Sequence, residues 1–439
     1  MFGFSMIQMV RSNADKLDLT LRKNLIGLYT PFKWTPCFLH SSLDRFLQKT
    51  RKIPVVVEFY DTCSFEEAVE NCHSVAEQHF RSKMKQSIPS TTCCSMDLTP
   101  AALEELLSKG SFIKKVYFDR KVQALLDVAT AAVKAKESIQ EAALTGNGVT
   151  IAVIDTGIYP HQDLSDRIVA FKDFINDRTE PYDDNGHGTH CAGDAAGDGS
   201  ASNGLYRGPA PESKLVGVKV LDKLGSGSLS TVMAGVDWCI EYNRLNPDNP
   251  INIISMSLGS DPQQYPSVSE DPMVRSVEAA WNSGIVVCVA AGNSGPDPGT
   301  ISSPGVSETV ITVGAMDDIN TPNIIDDSIA SFSSRGPTIY GYTKPDVVAP
   351  GVNIISLRSP NSYLDKLQKG NRIGNEYFTL SGTSMATPIC AGVAALIIEN
   401  NPGIPPDEVK RKLLDGAEEL GPANTYGQGY VNAEKSISI

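Results

Sequence analysis

The chain has 439 residues, more than one ordinary domain uses and enough for two or three. A hydrophobic share of 41% with 20% charged residues is that of a soluble globular protein with an ample core. The formal net charge of −13 is uneven. Residues 1–120 hold 16 basic and 13 acidic residues, a net of +3, and the remaining 22 and 38 leave −16. The acidic part is a poor partner for nucleic acid, and the asymmetry suits a slightly basic N-terminal domain docking on an acidic C-terminal one. Nine cysteines, at 37, 63, 72, 93, 94, 191, 239, 288 and 390, form no pair of CxxC motifs, which argues against a zinc site of that kind. Their scatter fits free thiols in a reducing compartment.

In chain order, MFGFSMIQMVRSNADK lacks the apolar stretch and small-residue cleavage site of a secretory signal. Residues 1–50 show no strong period and receive no role. IPVVVEFY (53–60) reads as a strand, and residues 65–80 place apolar residues at helical spacing. At 96–110, Thr99 is an N-cap, Pro100 the first helical residue and Gly110 a stop. FIKKVYF (112–118) is another strand, so 51–120 is a small α+β domain. Residues 121–144 read as a linker with a helical part.

From 145 to 439 the texture changes. Apolar strands are expected at 149–154, 214–220, 251–257, 284–291 and 309–314, with helices at 228–244 and 270–283 between them. Strands apolar on both faces, alternating with helices, predict a doubly wound α/β fold with a mainly parallel sheet covered on both sides. Such sheets bind ligands beyond the C-terminal ends of their strands. The longest apolar run, 389–398, falls short of the roughly 18 residues of a membrane span. The expectation is a cytoplasmic protein with no membrane partner.

Four groups stand at strand ends or helix starts. Asp155 follows the first of these strands in D-T-G. It reads as a turn residue or as half of an aspartic-protease pair, but that pair needs a second such motif, and none is present. His187 and His190 lie in HGTHCAG, where two His three apart could share a metal, although no Glu or third ligand accompanies them. The glycines flanking His187 suggest close approach to its imidazole, with His190 a packed neighbour. Asn293 ends VAAGN, as a turn residue or an oxyanion donor. In LSGTSMATPICAGVAALII (380–398), Ser381, Thr383, Ser384 and Thr387 are all candidate helix caps, and a hydroxyl becomes a nucleophile only beside a base. A carboxylate, an imidazole, an amide and a hydroxyl on one sheet supply what acyl transfer needs.

The order of D-T-G, H-G-T-H-C-A-G, A-A-G-N and G-T-S-M-A-T-P resembles the subtilisin-like serine proteases (subtilases) over roughly 145–435. Without a leader, the whole is similar to the family's cytosolic AprX-type branch. The resemblance implies a broad serine endopeptidase acting on protein or peptide substrates. It makes Asp155 the orienting carboxylate, His187 the base and then acid, Ser384 the nucleophile and Asn293 the oxyanion donor. Leu224, Gly225, Ser226 and Gly227 become an edge strand that pairs with substrate backbone. Ser257, Leu258, Gly259, Ala290, Ala291 and Gly292 become pocket walls, with Ser302 near the floor. Pro388 is placed in the first helical turn, where a missing N–H is harmless. The 51–120 domain corresponds to a propeptide that assists folding and inhibits, released by self-cleavage in the 119–140 region. Asp163 resembles one ligand of a structural calcium, which is otherwise read as a surface or capping residue because calcium takes six to eight oxygens. No cofactor is expected for the chemistry itself. Cys191 and Cys390 read as small core residues; the sharper reading of Cys191 is that a thiol reagent there displaces His187. The competing reading of the whole chain is a binding protein on a silent protease fold, which would normally lack one of these four groups.

Overall fold

Valine- and isoleucine-rich runs form the strands of the computed structural model, which describes residues 5–28, 35, 40–60, 64–88, 92–118, 126–135, 143–319 and 321–439. Two units divide the chain near residue 123. In the first, β1 (Ile53–Phe59), β2 (Lys83–Ile88), β3 (Cys93–Leu98) and β4 (Ile113–Phe118) make an antiparallel sheet of order β2-β3-β1-β4. Burial alternates along β1, as a half-covered sheet requires. Helices Phe65–Gln78 and Pro100–Lys109 start at Ser64 and Thr99, whose side chains accept from Glu67 N–H and Ala102 N–H.

The division at residue 50 is not a packing boundary. Met9, Val10, Leu17, Leu21 and Leu25 join β1, β3 and β4 in one core, and Leu17 bridges Val116. Their helices, Ser5–Ser12 and Leu19–Gly27, are of eight and nine residues. That is too short for an apolar stripe to stand out in the sequence.

The second unit holds β5 (Thr150–Asp155), β6 (Ile168–Asp173), β7 (Lys214–Lys219), β8 (Ile253–Met256), β9 (Val286–Ala290), β10 (Ile311–Asp317), β11 (Ser328–Ile329) and β12 (Val347–Pro350). The order is β11-β10-β9-β8-β5-β7-β6, with β12 also paired to β10. All pairs are parallel except β10–β11. Every residue of β5 is buried. Its neighbours are β7 on one side and β8 on the other, so the winding reverses at β5, where such sheets open their ligand crevice. Helices Leu229–Leu245 and Pro272–Asn282 pack as one pair, and His187–Ala196 and Thr383–Asn400 as another. A small antiparallel sheet, β13 (Ile354–Leu357), β14 (Arg372–Ile373) and β15 (Tyr377–Leu380), has the order β13-β15-β14.

Part of the expected linker is not free chain. Helix Leu126–Ala132 belongs to the second unit, with Ala129, Ala132 and Val133 in its core, and Val133 O accepts from Ala433 N–H at 2.8 Å. Residues 119–125 and 136–140 of the expected processing region lie outside the described residues. Among the described helices, Thr383–Asn400 alone is long and apolar enough to cross a membrane, and 83% of that stretch is buried inside the protein.

Candidate active site

The C-terminal end of β5 delivers Asp155, fully buried, to the crevice. A buried carboxylate needs partners. Asp155 Oδ1 accepts from Thr156 N–H at 2.7 Å, and His187 Nδ1 lies 2.8 Å from Oδ1 and 3.0 Å from Oδ2. A carboxylate only accepts, so Nδ1 carries the proton and Nε2 is left with its lone pair free. This approach needs glycine at 188: a Cβ there would meet Gly157 O at 2.3 Å and Asp155 Cβ at 3.0 Å. His187 keeps 23% of its side chain exposed. Burial is the largest single influence and disfavours its charged form, but the charge and hydrogen bond of Asp155 together with the Cys191 sulfur outweigh it and hold the pKa well above the usual histidine value.

Two residues given no role by the sequence reading hold this geometry. Asp183, buried in the turn before His187, accepts from Thr156 Oγ1, Asn185 N–H, Gly186 N–H, Thr189 N–H and Thr189 Oγ1, all at 2.7–3.0 Å. Burial raises its pKa despite these donors. Lys219, at the end of β7, is fully buried and donates to Thr156 O (2.6 Å), Asp184 Oδ1 (2.7 Å) and Leu221 O (2.9 Å). It ties the Asp155 loop to the His187 loop. A lysine inside the apolar run KLVGVKV was the available signal, since a buried ammonium must be paired.

Ser384 is the second residue of the helix Thr383–Asn400. Pro388 lies six residues into that helix rather than in its first turn, so its missing N–H has a consequence. The carbonyl deprived of its partner is that of Ser384. Ser257 Oγ–H donates to it at 2.8 Å and Cys191 Sγ–H at 3.4 Å. Cys191 Sγ is also 3.8 Å from His187 Nδ1, and burial pushes its thiol up to about 11. The Ser384 hydroxyl donates to Ser257 O at 3.2 Å, not to His187.

Asn293 stands just past β9. Its Oδ1 accepts from Thr383 N–H (2.9 Å) and Thr383 Oγ1–H (3.1 Å), which leaves Nδ2 as the free end of the amide. A cavity of about 230 Å³ opens here, lined by Asn293, Ser384, Ser257, Leu258, Gly259, Ala290, Gly292 and Ser302. Gly292 has φ 108°, and a Cβ there would stand 2.2 Å from Ser302 Oγ. Ala291 is buried and does not face the cavity. A second cavity of about 620 Å³ shares Ser257–Asp261 with it and reaches His187 and Leu224–Gly227.

Two expectations change, for Leu224–Gly227 and for Asp163, while His190 is the packed, hydrogen-bonded neighbour expected. Leu224–Gly227 is not a strand: the Asp222 carboxylate accepts from Leu224 N–H and Ser226 N–H at 2.8 and 3.0 Å, folding a turn at Gly225. Those two amides are taken and cannot pair with a substrate backbone. His190 is a buried strut, its Nδ1 2.9 Å from Asp194 and its Nε2 facing the carbonyls of Ile354 and Phe378, so the two histidines do not converge on a metal. Asp163 is fully buried rather than a surface residue. Its carboxylate accepts from Ala201 N–H (2.8 Å), Ser200 Oγ (3.2 Å) and Tyr377 OH (2.7 Å). A calcium site needs converging oxygens, whereas here one amide and two hydroxyls present protons, so the set does not fit the ion. Among the described residues, one group of His, Cys and acidic side chains is close enough to grip a metal: Asp155, His187 and Cys191, the site itself.

Residues 146–429 match the subtilase family of S8 peptidases. The chain is 60% identical over its full length to serine protease AprX of Bacillus subtilis, covering 99% of that protein. It is 38% identical to subtilisin Savinase of Lederbergia lenta over 66% of this chain and 91% of the relative. Among solved structures, a cold-adapted subtilisin-like serine proteinase superposes with a TM-score of 0.51 at 32% identity, covering 66% of this chain and 90% of the other. The chain belongs to the subtilase family and is a serine protease.

Proposed function

We propose that Asp155, His187 and Ser384 form the catalytic triad of a broad-specificity endopeptidase working through an acyl-enzyme. The observation that carries this reading is the Asp155–His187 contact in the crevice at β5, with a serine at a helix N-terminus beside it. His187 Nε2 takes the proton of Ser384 as Oγ attacks the scissile carbonyl, and returns it to the leaving amine. Asp155 keeps the proton on Nδ1 and stabilises the imidazolium, which is the form its charge already favours. Asn293 Nδ2 and the Ser384 N–H, unpaired within the first helical turn, stabilise the oxyanion. The 230 Å³ cavity receives the substrate side chain before the scissile bond. A fluorophosphonate that labels the parent but not Ser384→Ala tests the assignment. An unlabelled, correctly folded parent overturns it and favours a silent protease fold.

The first unit, with its own core and a net charge opposite to the rest, is read as a propeptide of the zymogen, cut off by the enzyme itself. The helix Leu126–Ala132, packed in the second unit, favours a cut before it. If purified Ser384→Ala is trimmed as the parent is, self-processing is wrong. All seven described cysteines are free thiols, which suits a reducing cytoplasm. Finding the mature protein mainly in the culture medium of the producing cells would count against that location.

A further inference from the structure

Between β13 and β15 runs a segment, residues 358–376, that none of the assigned chemistry uses. It carries the short helix Tyr363–Leu367. The segment is stapled internally by Asp365, which is 2% exposed. Its carboxylate accepts from Arg358 Nε (2.6 Å) and Nη2 (3.1 Å), Arg372 Nε (2.6 Å) and Asn361 N–H (2.9 Å). Paired guanidinium groups around one carboxylate make a rigid local scaffold.

The scaffold docks on the turn that leads into His187. Ser359 Oγ–H donates to Asp183 O at 2.6 Å, Tyr363 N–H to Asp184 O at 2.8 Å and Leu364 N–H to Asn185 O at 3.0 Å. Three successive carbonyls of one turn are thus taken by one segment, which fixes where Leu364 sits. Its side chain is half-buried and lines the 620 Å³ cavity together with His187, Asn185, Leu221 and Leu224. A leucine held by its own backbone at the edge of a substrate cleft, with four further leucines on that cleft, is an apolar contact without an occupant in the folded chain.

We propose that Leu364 is a specificity-determining residue that receives an apolar substrate side chain beside His187, at a position next to the residue held in the 230 Å³ cavity. Its selectivity rests on the triad assignment above, because only a substrate anchored at Ser384 presents its neighbouring side chain there. The recognised class is a peptide with a branched aliphatic or aromatic residue at that position. The rigid docking matters as much as the leucine, since a wall that yields discriminates poorly.

The test compares cleavage profiles of a peptide library, varied one position at a time on both sides of the scissile bond, for the parent, Leu364→Ala and Leu364→Lys. Active sites are counted with a fluorophosphonate, so a variant that misfolds is recognised as such. The parent should favour bulky apolar residues over alanine at one position. In Leu364→Ala the ratio of kcat/KM for bulky over alanine peptides at that position should fall by about tenfold, the usual scale for a lost apolar contact in a pocket. Leu364→Lys should raise the relative rate for acidic residues at that same position. Profiles identical to the parent overturn the proposal. A uniform fall across all peptides overturns it too, because it would mark Leu364 as mere support for the 183–186 turn. Failure of the triad reading would look different: the parent itself would go unlabelled.

Discussion

If the Asp163 carboxylate is satisfied by protein donors, chelation should leave the fold untouched and loss of one donor should not. The variant is Tyr377→Phe, made together with Ser384→Ala to prevent self-digestion during heating. The phenol donates to Asp163 Oδ2 at 2.7 Å, and both residues are buried, at 0% and 4% exposure. Phenylalanine keeps the ring stacked edge-on against Tyr206, centroids 4.6 Å apart, so little apolar burial changes. What remains is a hydrogen bond to a buried charge, about 1.5–3 kcal/mol. At roughly 2 °C per kcal/mol for a unit of this size, the melting temperature should fall by about 3–6 °C. Calorimetry of both proteins with EDTA, and again with calcium in excess, makes the comparison. EDTA should shift neither. A drop of several degrees in the parent on chelation, restored by calcium and not by magnesium, would refute the reasoning, because it would make Asp163 a ligand.

Further outcomes follow from the same geometry. His187 must be neutral to accept a proton, and Asp155 raises its pKa, so kcat/KM should climb with pH along a limb centred above about 6.5. Asp155→Asn should move that limb down and cut kcat roughly 10⁴-fold, the scale known for Ser–His–Asp triads; an unmoved limb would assign the titration to another group. Asn293→Ala should cost roughly 10²–10³ in kcat, the size known for this loss in subtilisin, with KM little changed. Thr383→Val removes only one of the two donors to Asn293 Oδ1 and should cost about three- to tenfold, read by steady-state kinetics. An organomercurial should inactivate the parent through Cys191, 3.8 Å from the imidazole, and a Cys191→Ala protein that stays fully sensitive would exclude that route. Burial alone would raise the Asp365 pKa, but Arg358, the Asn361 amide and Arg372 hold it down to about 2. Its stabilising effect is therefore complete above the ordinary carboxylate range and lost as pH falls towards 2. Asp365→Asn should flatten that part of a melting-temperature profile by about 2 kcal/mol.

The strands of the parallel sheet were legible because each is apolar on both faces, and β5, β7, β8, β9 and β10 fall on the expected runs. The strand-end groups were legible for the same reason: a polar residue just after such a run has somewhere to point. Short elements were not. β12 spans four residues and β11 two, below the length at which a period can be counted. Asp183 and Asp163 show why acidic residues defeat sequence reading. Both are buried carboxylates, one gripping a turn with five donors and the other closing a network with Tyr377, and their partners lie up to 214 residues away. Whether such a carboxylate meets a cation or an N–H depends on partners that only the fold brings near.

The misplaced reading of Pro388 leads to the resting state of the Ser384 hydroxyl. Pro388 strips Ser384 O of its helical partner, and Ser257 fills the gap with its hydroxyl at 2.8 Å. That places Ser257 O within reach of the Ser384 hydroxyl, which donates to it at 3.2 Å. So the residue that repairs the helix also holds the Ser384 hydroxyl away from His187. The parking bond is long and neutral, hence weak. The bond that replaces it, from Oγ–H to an imidazole whose protonated form Asp155 already favours, gains strength as the proton moves. The exchange trades that weak bond for one to a more basic acceptor, and Ser257 also walls the cavity beside Ser384.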